Sequence, residues 1–270
     1  MPRSFFLFIA LILLVLFLDR LSTMDREVID LGIARYPSLL VSEAASSPGS
    51  PAESATAHYW EGDRRSRAYR VAYAHGEEAA STLLADHERL GARFNFSWVD
   101  EMRFTWQLPE SCAGREWTCI YSEVFDRNAV DLMPLIDRIE TGLLAEEFST
   151  TEAAEWLLDF VQQIPYRMPT EEAFGILPPA LVVSQDWGDC DSKSLLLIAL
   201  LERVGIDAVL LVSEAHAHAL VGIDVPSRGK AHKENARRYA WAETTTEDAP
   251  LGWLHPSMKL PYDWEVVPVR

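Results

Sequence analysis

The chain has 270 residues, 49% hydrophobic and 24% charged, enough for one large domain or a catalytic domain beside a smaller one. Its 41 acidic residues against 24 basic ones give a formal charge of -17. That balance argues against a nucleic-acid partner, whose phosphates would be repelled, and no basic, aromatic-interleaved patch offsets it.

After Arg3 an unbroken apolar run extends from Phe5 to Leu18. As a helix it would be about 21 Å long, short of the roughly 30 Å hydrocarbon core. It resembles a signal-peptide h-region, yet Asp19-Arg20-Leu21-Ser22-Thr23-Met24 offers no small-x-small cleavage site. Snorkelling of Arg3 and Arg20 with local bilayer thinning lets it span. Residues 1–21 are therefore read as a signal anchor, with a cleaved signal peptide as the alternative. The body is then anchored by the N-terminus facing the periplasm or exterior, or is secreted. Residues 22–57 follow as a juxtamembrane segment and linker, the second half carrying Ser46-Ser47-Pro48-Gly49-Ser50-Pro51.

Residues 58–127 read as a small β-rich region. Tyr69 to Tyr73, Arg93 to Trp98, Met102 to Trp106 and Thr118 to Tyr121 alternate aromatic or β-branched with polar residues, and a helix near Glu77 to Leu90 lies between the first two. Cys112 and Cys119 are close enough in sequence to bridge, which would leave Cys190 as the odd thiol.

From residue 128 to 270 the pattern is that of a catalytic domain. A helix is expected through Val130 to Leu144, and a second opening at Ser149-Thr150-Thr151-Glu152, a capping-box pattern. Leu177-Pro178-Pro179 then leads to the polar turn Asp186-Trp187-Gly188-Asp189-Cys190-Asp191. The turn delivers Cys190 to the start of an apolar helix that stops at Gly205. Unpaired N–H groups and the dipole at a helix N-terminus favour a thiolate, the nucleophilic form of cysteine. Strands follow at Ala208 to Ser213, His218 to Val225 and Tyr239 to Thr244.

A cysteine nucleophile needs a base, and the base an orienting acceptor. If the last two strands are antiparallel neighbours, a histidine at the start of one can face Glu243 on the other. His218 is preferred to His216, which is read as a supporting residue. Two metal readings use the same atoms: zinc held by Cys190, His216 and His218, and calcium held by Asp186, Asp189 and Asp191. The second triplet is equally suited to capping the helix.

Gly188-Asp189-Cys190-Asp191 before an apolar helix, then Gly205-Ile206-Asp207-Ala208, His218-Ala219-Leu220-Val221-Gly222 and Glu243-Thr244-Thr245, in that order, resembles the transglutaminase-like cysteine hydrolase superfamily. Phe160-Val161-Gln162-Gln163-Ile164-Pro165-Tyr166 is similar to the segment leading into the catalytic turn of bacterial members, and the likeness covers roughly residues 128–256. It implies an α+β fold with a papain-like transglutaminase core, a catalytic helix packed on an antiparallel sheet. It also implies Cys190 as nucleophile, His218 as general base and acid, and Glu243 as the residue orienting the imidazole, where the family more often has Asp. Gln162 would assist the Cys190 N–H in an oxyanion hole, and Trp187 would line the site.

The expected activity is extracytoplasmic, cysteine-dependent hydrolysis of a protein or peptide amide through a thioester, with transamidation as the variant outcome. That chemistry requires no cofactor. The competing expectations are a calcium-dependent periplasmic cysteine protease of related fold and a catalytically inactive, membrane-anchored interaction module.

Overall fold

A computed structural model describes residues 39–43, 56–64, 67–100, 103–145, 147–258 and 263–269. The segment read as an anchor, 1–21, and the Ser/Pro-rich stretch of the linker lie outside the described residues. Among the described residues no helix is long and apolar enough to cross a membrane.

The fold is α+β. Strands β1 (Leu39–Glu43), β2 (Thr56–Arg64) and β3 (Arg67–His75) make a three-stranded sheet in the order β1-β3-β2. The β2–β3 pair is an antiparallel hairpin, and β1 adds in parallel to the other edge of β3. The segment read as linker thus has strand at both described ends, because an unpaired edge of β3 supplies backbone hydrogen bonds that Leu39 to Glu43 take up. Helix α1 (Glu77–Arg93) follows, then a short hairpin of β4 (Ser97–Asp100) and β5 (Arg103–Thr105).

Next come α2 (Glu116–Phe125), α3 (Ala129–Ala145), α4 (Thr150–Gln163), α5 (Pro179–Gln185) and α6 (Cys190–Arg203). The strand expected at Thr118 to Tyr121 is instead the middle of α2. Trp117, Ile120, Tyr121 and Val124 recur at i, i+3, i+4 and i+7, so helix formation puts one apolar face inward. Read over four residues, that pattern is indistinguishable from alternation. Cys112 and Cys119 form a disulfide that ties α2 to the turn before it. Helix α4 opens as expected: the Ser149 hydroxyl accepts from the Glu152 N–H, and the Glu152 carboxylate accepts from the Ser149 N–H.

The main sheet is five-stranded and antiparallel, in the order β10-β6-β7-β9-β8, with β6 Ala208–Ser213, β7 His218–Ile223, β8 Ala231–Glu234, β9 Arg237–Ala242 and β10 Glu265–Val267. Side chains alternate across it. Leu210, Val212, Ala219, Val221, Ala240 and Ala242 turn into one large core with α6, whose Leu195 to Leu201 are almost wholly buried. Leu211, Leu220 and Trp241 turn the other way and meet Leu254 and Trp264 in a smaller core. The large core is continuous from Trp60 to Val269, so the β-rich region expected over 58–127 shares its interior with the residues that follow, and it carries two helices besides its strands.

Candidate active site

Contacts from three directions fix the turn ahead of Cys190. Asp186 closes α5 in the left-handed conformation, φ 57°, which an aspartate tolerates better than most residues. Its Oδ1 accepts from Trp60 Nε1 at 2.6 Å, and His58 Nδ1 lies 3.7 Å from Oδ2, so the β2–β3 hairpin grips the turn from outside. Gly188 pairs in parallel with Tyr166: its N–H donates to the Pro165 carbonyl at 3.1 Å and its carbonyl accepts from the Arg167 N–H at 3.1 Å. A Cβ at Gly188 would sit 3.2 Å from Lys193 Cγ and 3.3 Å from Ser192 Cβ, tighter than ordinary contact. Behind it, buried Lys193 donates to the Ile164 carbonyl at 2.6 Å and holds the 164–167 segment in place. Burial pulls the Lys193 amine down to about 8, although Glu243 and Glu247 pull the other way.

Asp189 is the N-cap of α6. Its Oδ1 accepts from the Ser192 N–H at 2.9 Å and from the Ser192 hydroxyl at 2.5 Å. Cys190 is the first residue of the helix and only 7% exposed. Its Sγ donates to Asp191 Oδ2 at 3.4 Å, while Asp191 Oδ1 accepts the hydroxyl of Tyr121. The backbone N–H of Ala219, the residue after His218, also acts on the sulfur and favours its charged form, in the stretch where β7 runs beyond its pairing with β9.

These surroundings correct one expectation. Burial, then the Asp191 and Asp189 carboxylates, push the Cys190 thiol well above its ordinary range, against the smaller opposing effect of the Ala219 N–H. A helix N-terminus alone would favour thiolate. Here the turn that makes the N-terminus also brings two acids to the sulfur, and the resting group is a thiol. Asp189 is itself raised to about 7 by burial and by Asp191, with its Ser192 bonds acting in the opposite direction.

On the far side of the site, the ring of His218 gives Nε2 to Glu243 Oε2 at 2.8 Å. Register explains the meeting: Val221 faces Ala242, so His218 and Glu243 fall on one face as diagonal neighbours. The second oxygen of Glu243 accepts from the Thr245 N–H at 2.9 Å and the Thr245 hydroxyl at 2.6 Å. Burial opposes ionisation of Glu243, but His218 and Thr245 together outweigh it and hold the carboxyl below its usual range. The result is a buried carboxylate that fixes the imidazole by one nitrogen and leaves Nδ1 on the opposite edge of the ring.

Gln162 has a different task from the one expected. Its Nε2 donates to the Glu243 carbonyl at 2.7 Å and to the Ala249 carbonyl at 2.9 Å, which uses both amide hydrogens. It ties the acid-bearing segment to α4 and is not an oxyanion donor. Trp187 is buried, with the Arg167 guanidinium 4.6 Å above its ring. His216 turns towards Asp263, 3.2 Å away, and leans on Trp264.

Neither metal set read from sequence assembles. Among the described residues the group with donor atoms close enough for one ion is Asp189, Cys190 and Asp191, all within 4.8 Å, with no histidine in it. Asp186 is held by Trp60 and His58, and Asp189 and Asp191 already accept from Ser192 and Tyr121. That leaves too few oxygens for the six to eight that calcium takes.

Sequence reasoning missed Tyr121 and Tyr166. Half-exposed Tyr166 bridges Gly188, two residues before Cys190, and burial first, then the charges of Cys190, Asp189, Asp191 and Glu243, push its hydroxyl up to about 12. Its signal was its position at the end of the Phe160-to-Tyr166 segment. Tyr121 had no signal, being 70 residues from Asp191 in sequence. Compared with known proteins, the chain matches no protein-family model and no curated protein.

Proposed function

We propose that this chain is an extracytoplasmic thiol-dependent amide hydrolase of the transglutaminase-like kind, with a papain-like catalytic core. The observation that carries the reading is the His218–Glu243 pair at the start of β7, with Cys190 opening the helix that packs on that strand. Cys190 is the nucleophile, His218 the general base and Glu243 the residue that orients it. As the resting sulfur is a thiol, proton transfer accompanies attack. Sγ bonds to the substrate carbonyl carbon while His218 Nδ1 takes the S–H proton. The oxyanion meets the Cys190 N–H, which as a first-turn donor has no acceptor within the helix.

Collapse breaks the C–N bond, and His218 returns the proton to the departing amine. Water, deprotonated by His218, then cleaves the thioester to a carboxylic acid and restores the thiol. An amine in place of water gives transamidation. The apolar run from Phe5 to Leu18 and the Cys112–Cys119 bridge support placement in an oxidising compartment, tethered to a membrane.

The test is to incubate the full-length protein with a denatured proteome-derived peptide mixture and read new termini and glutamine-to-glutamate conversions by mass spectrometry. Products that vanish in both Cys190→Ala and His218→Ala support the reading. Identical product sets from wild type and Cys190→Ala overturn it.

A further inference from the structure

The site has a second wall that the hydrolytic mechanism does not use. From the β4–β5 hairpin a row of rings approaches the nucleophile: Phe104 lies 5.0 Å from Trp106, Trp106 5.5 Å from Trp117, and Trp117 stacks on Tyr121 at 6.0 Å. Tyr121 ends the row by bonding Asp191, the neighbour of Cys190. Phe104, Trp106 and Trp117 all keep exposed surface.

Trp117 also reaches the histidine side. Its Nε1 donates to Glu214 Oε1 at 3.3 Å, and Glu214 opens the turn that returns the chain to His218. The indole therefore links the ring that bonds Asp191 to the turn that precedes His218. Glu214 is exposed, and among the described residues no Lys or Arg pairs with it. Two arginines near the aromatic and turn segments are engaged elsewhere, Arg103 with Asp100 at 2.6 Å and Arg167 with Glu171 at 3.2 Å.

We infer that Trp117 and Glu214 form a subsite for a lysine or arginine side chain of the peptide substrate. An indole face attracts a cation through its quadrupole, and a carboxylate held at the ring edge adds a charge partner. The overall charge of -17 draws basic peptides in the same direction. A neutral glycan would stack on the rings and donate a hydroxyl to the acid, but only a cation also gains from the carboxylate charge, so the pair favours a basic peptide. The subsite deepens the amide-hydrolase reading and rests on it for the identity of the ligand as a peptide.

Binding is measured on full-length protein carrying Cys190→Ser, which removes turnover. The probes are fluorescein-labelled heptapeptides of alanine and serine with one lysine, moved through each position, or norleucine in its place. The expected result is one lysine position that binds roughly tenfold tighter than norleucine at low salt, an advantage that shrinks as salt rises. Adding Glu214→Gln should reduce that advantage several-fold, and Trp117→Leu should abolish it, while Trp117→Phe keeps part of it. Equal binding of lysine and norleucine peptides at every position overturns the subsite, as does a lysine preference that survives both Glu214→Gln and Trp117→Leu. Since no step requires turnover, failure here is separate from failure of the hydrolase reading, which Cys190→Ala decides.

Discussion

Replacing Asp191 by Asn should make Cys190 ionise at lower pH. The perturbation is conservative: an asparagine Oδ1 still accepts the Tyr121 hydroxyl, but the negative charge 3.4 Å from the sulfur is gone. At that separation Coulomb's law gives about 4.9 kcal/mol at an effective dielectric of ~20 and about 1.2 kcal/mol at ~80. These bracket the electrostatic penalty that the Asp191 charge places on the thiolate. Asp189 takes back part of this, because its own ionisation is held off partly by Asp191 and becomes easier once that charge is removed. The net expectation is a midpoint moved clearly to lower pH. The assay is the pH dependence of iodoacetamide alkylation at Cys190, followed by mass spectrometry from pH 5 to 10; Cys112 and Cys119 are bridged and do not compete. A midpoint that stays put, or moves up, refutes the argument that the acids of the turn hold the sulfur as a thiol.

Gln162→Leu should destabilise the fold by about 2–5 kcal/mol, since it strands two buried carbonyls, and urea unfolding measures it. Its catalytic signature is a fall in turnover that tracks the loss of Glu243 placement. Breaking the Cys112–Cys119 bridge with paired serines closes no loop across a separation of 7 residues in the unfolded chain, and should lower stability by about 2.4 kcal/mol. His87 is buried against Phe174, and burial lowers it to about 4, partly countered by the Phe174 carbonyl. A depressed histidine contributes stability that is complete above the unfolded value of about 6.5 and lost as pH falls towards 4. Over that window wild type should lose about 3 kcal/mol relative to His87→Asn, visible as converging urea midpoints.

The elements that surround the site were legible from local signals: α4 has its capping box, α6 its apolar run, and β7 and β9 short apolar runs that the sheet buries on both faces. The His218–Glu243 meeting followed from antiparallel pairing and a two-residue diagonal, which sequence order suggests. Short apolar stretches were ambiguous, and Thr118 to Tyr121 went the wrong way for that reason. Side-chain bonds between segments not paired as strands were not readable. Gln162 has the right chemistry for an oxyanion donor, but only the fold shows its amide committed to two carbonyls. Likewise, local sequence shows a helix N-terminus at Cys190, whereas the ionisation of its sulfur depends on how deeply that turn is buried beside Asp189 and Asp191.

The central claim is that His218 activates Cys190, and the rate of Cys190 alkylation by iodoacetamide in the full-length protein at pH 7 tests it most directly. The account predicts that His218→Ala slows the reaction at least about a hundredfold, the lower end of the roughly 10²–10⁴-fold range of general-base assistance, and that Glu243→Gln slows it less. A Cys190 that reacts as fast without His218 as with it would contradict the account.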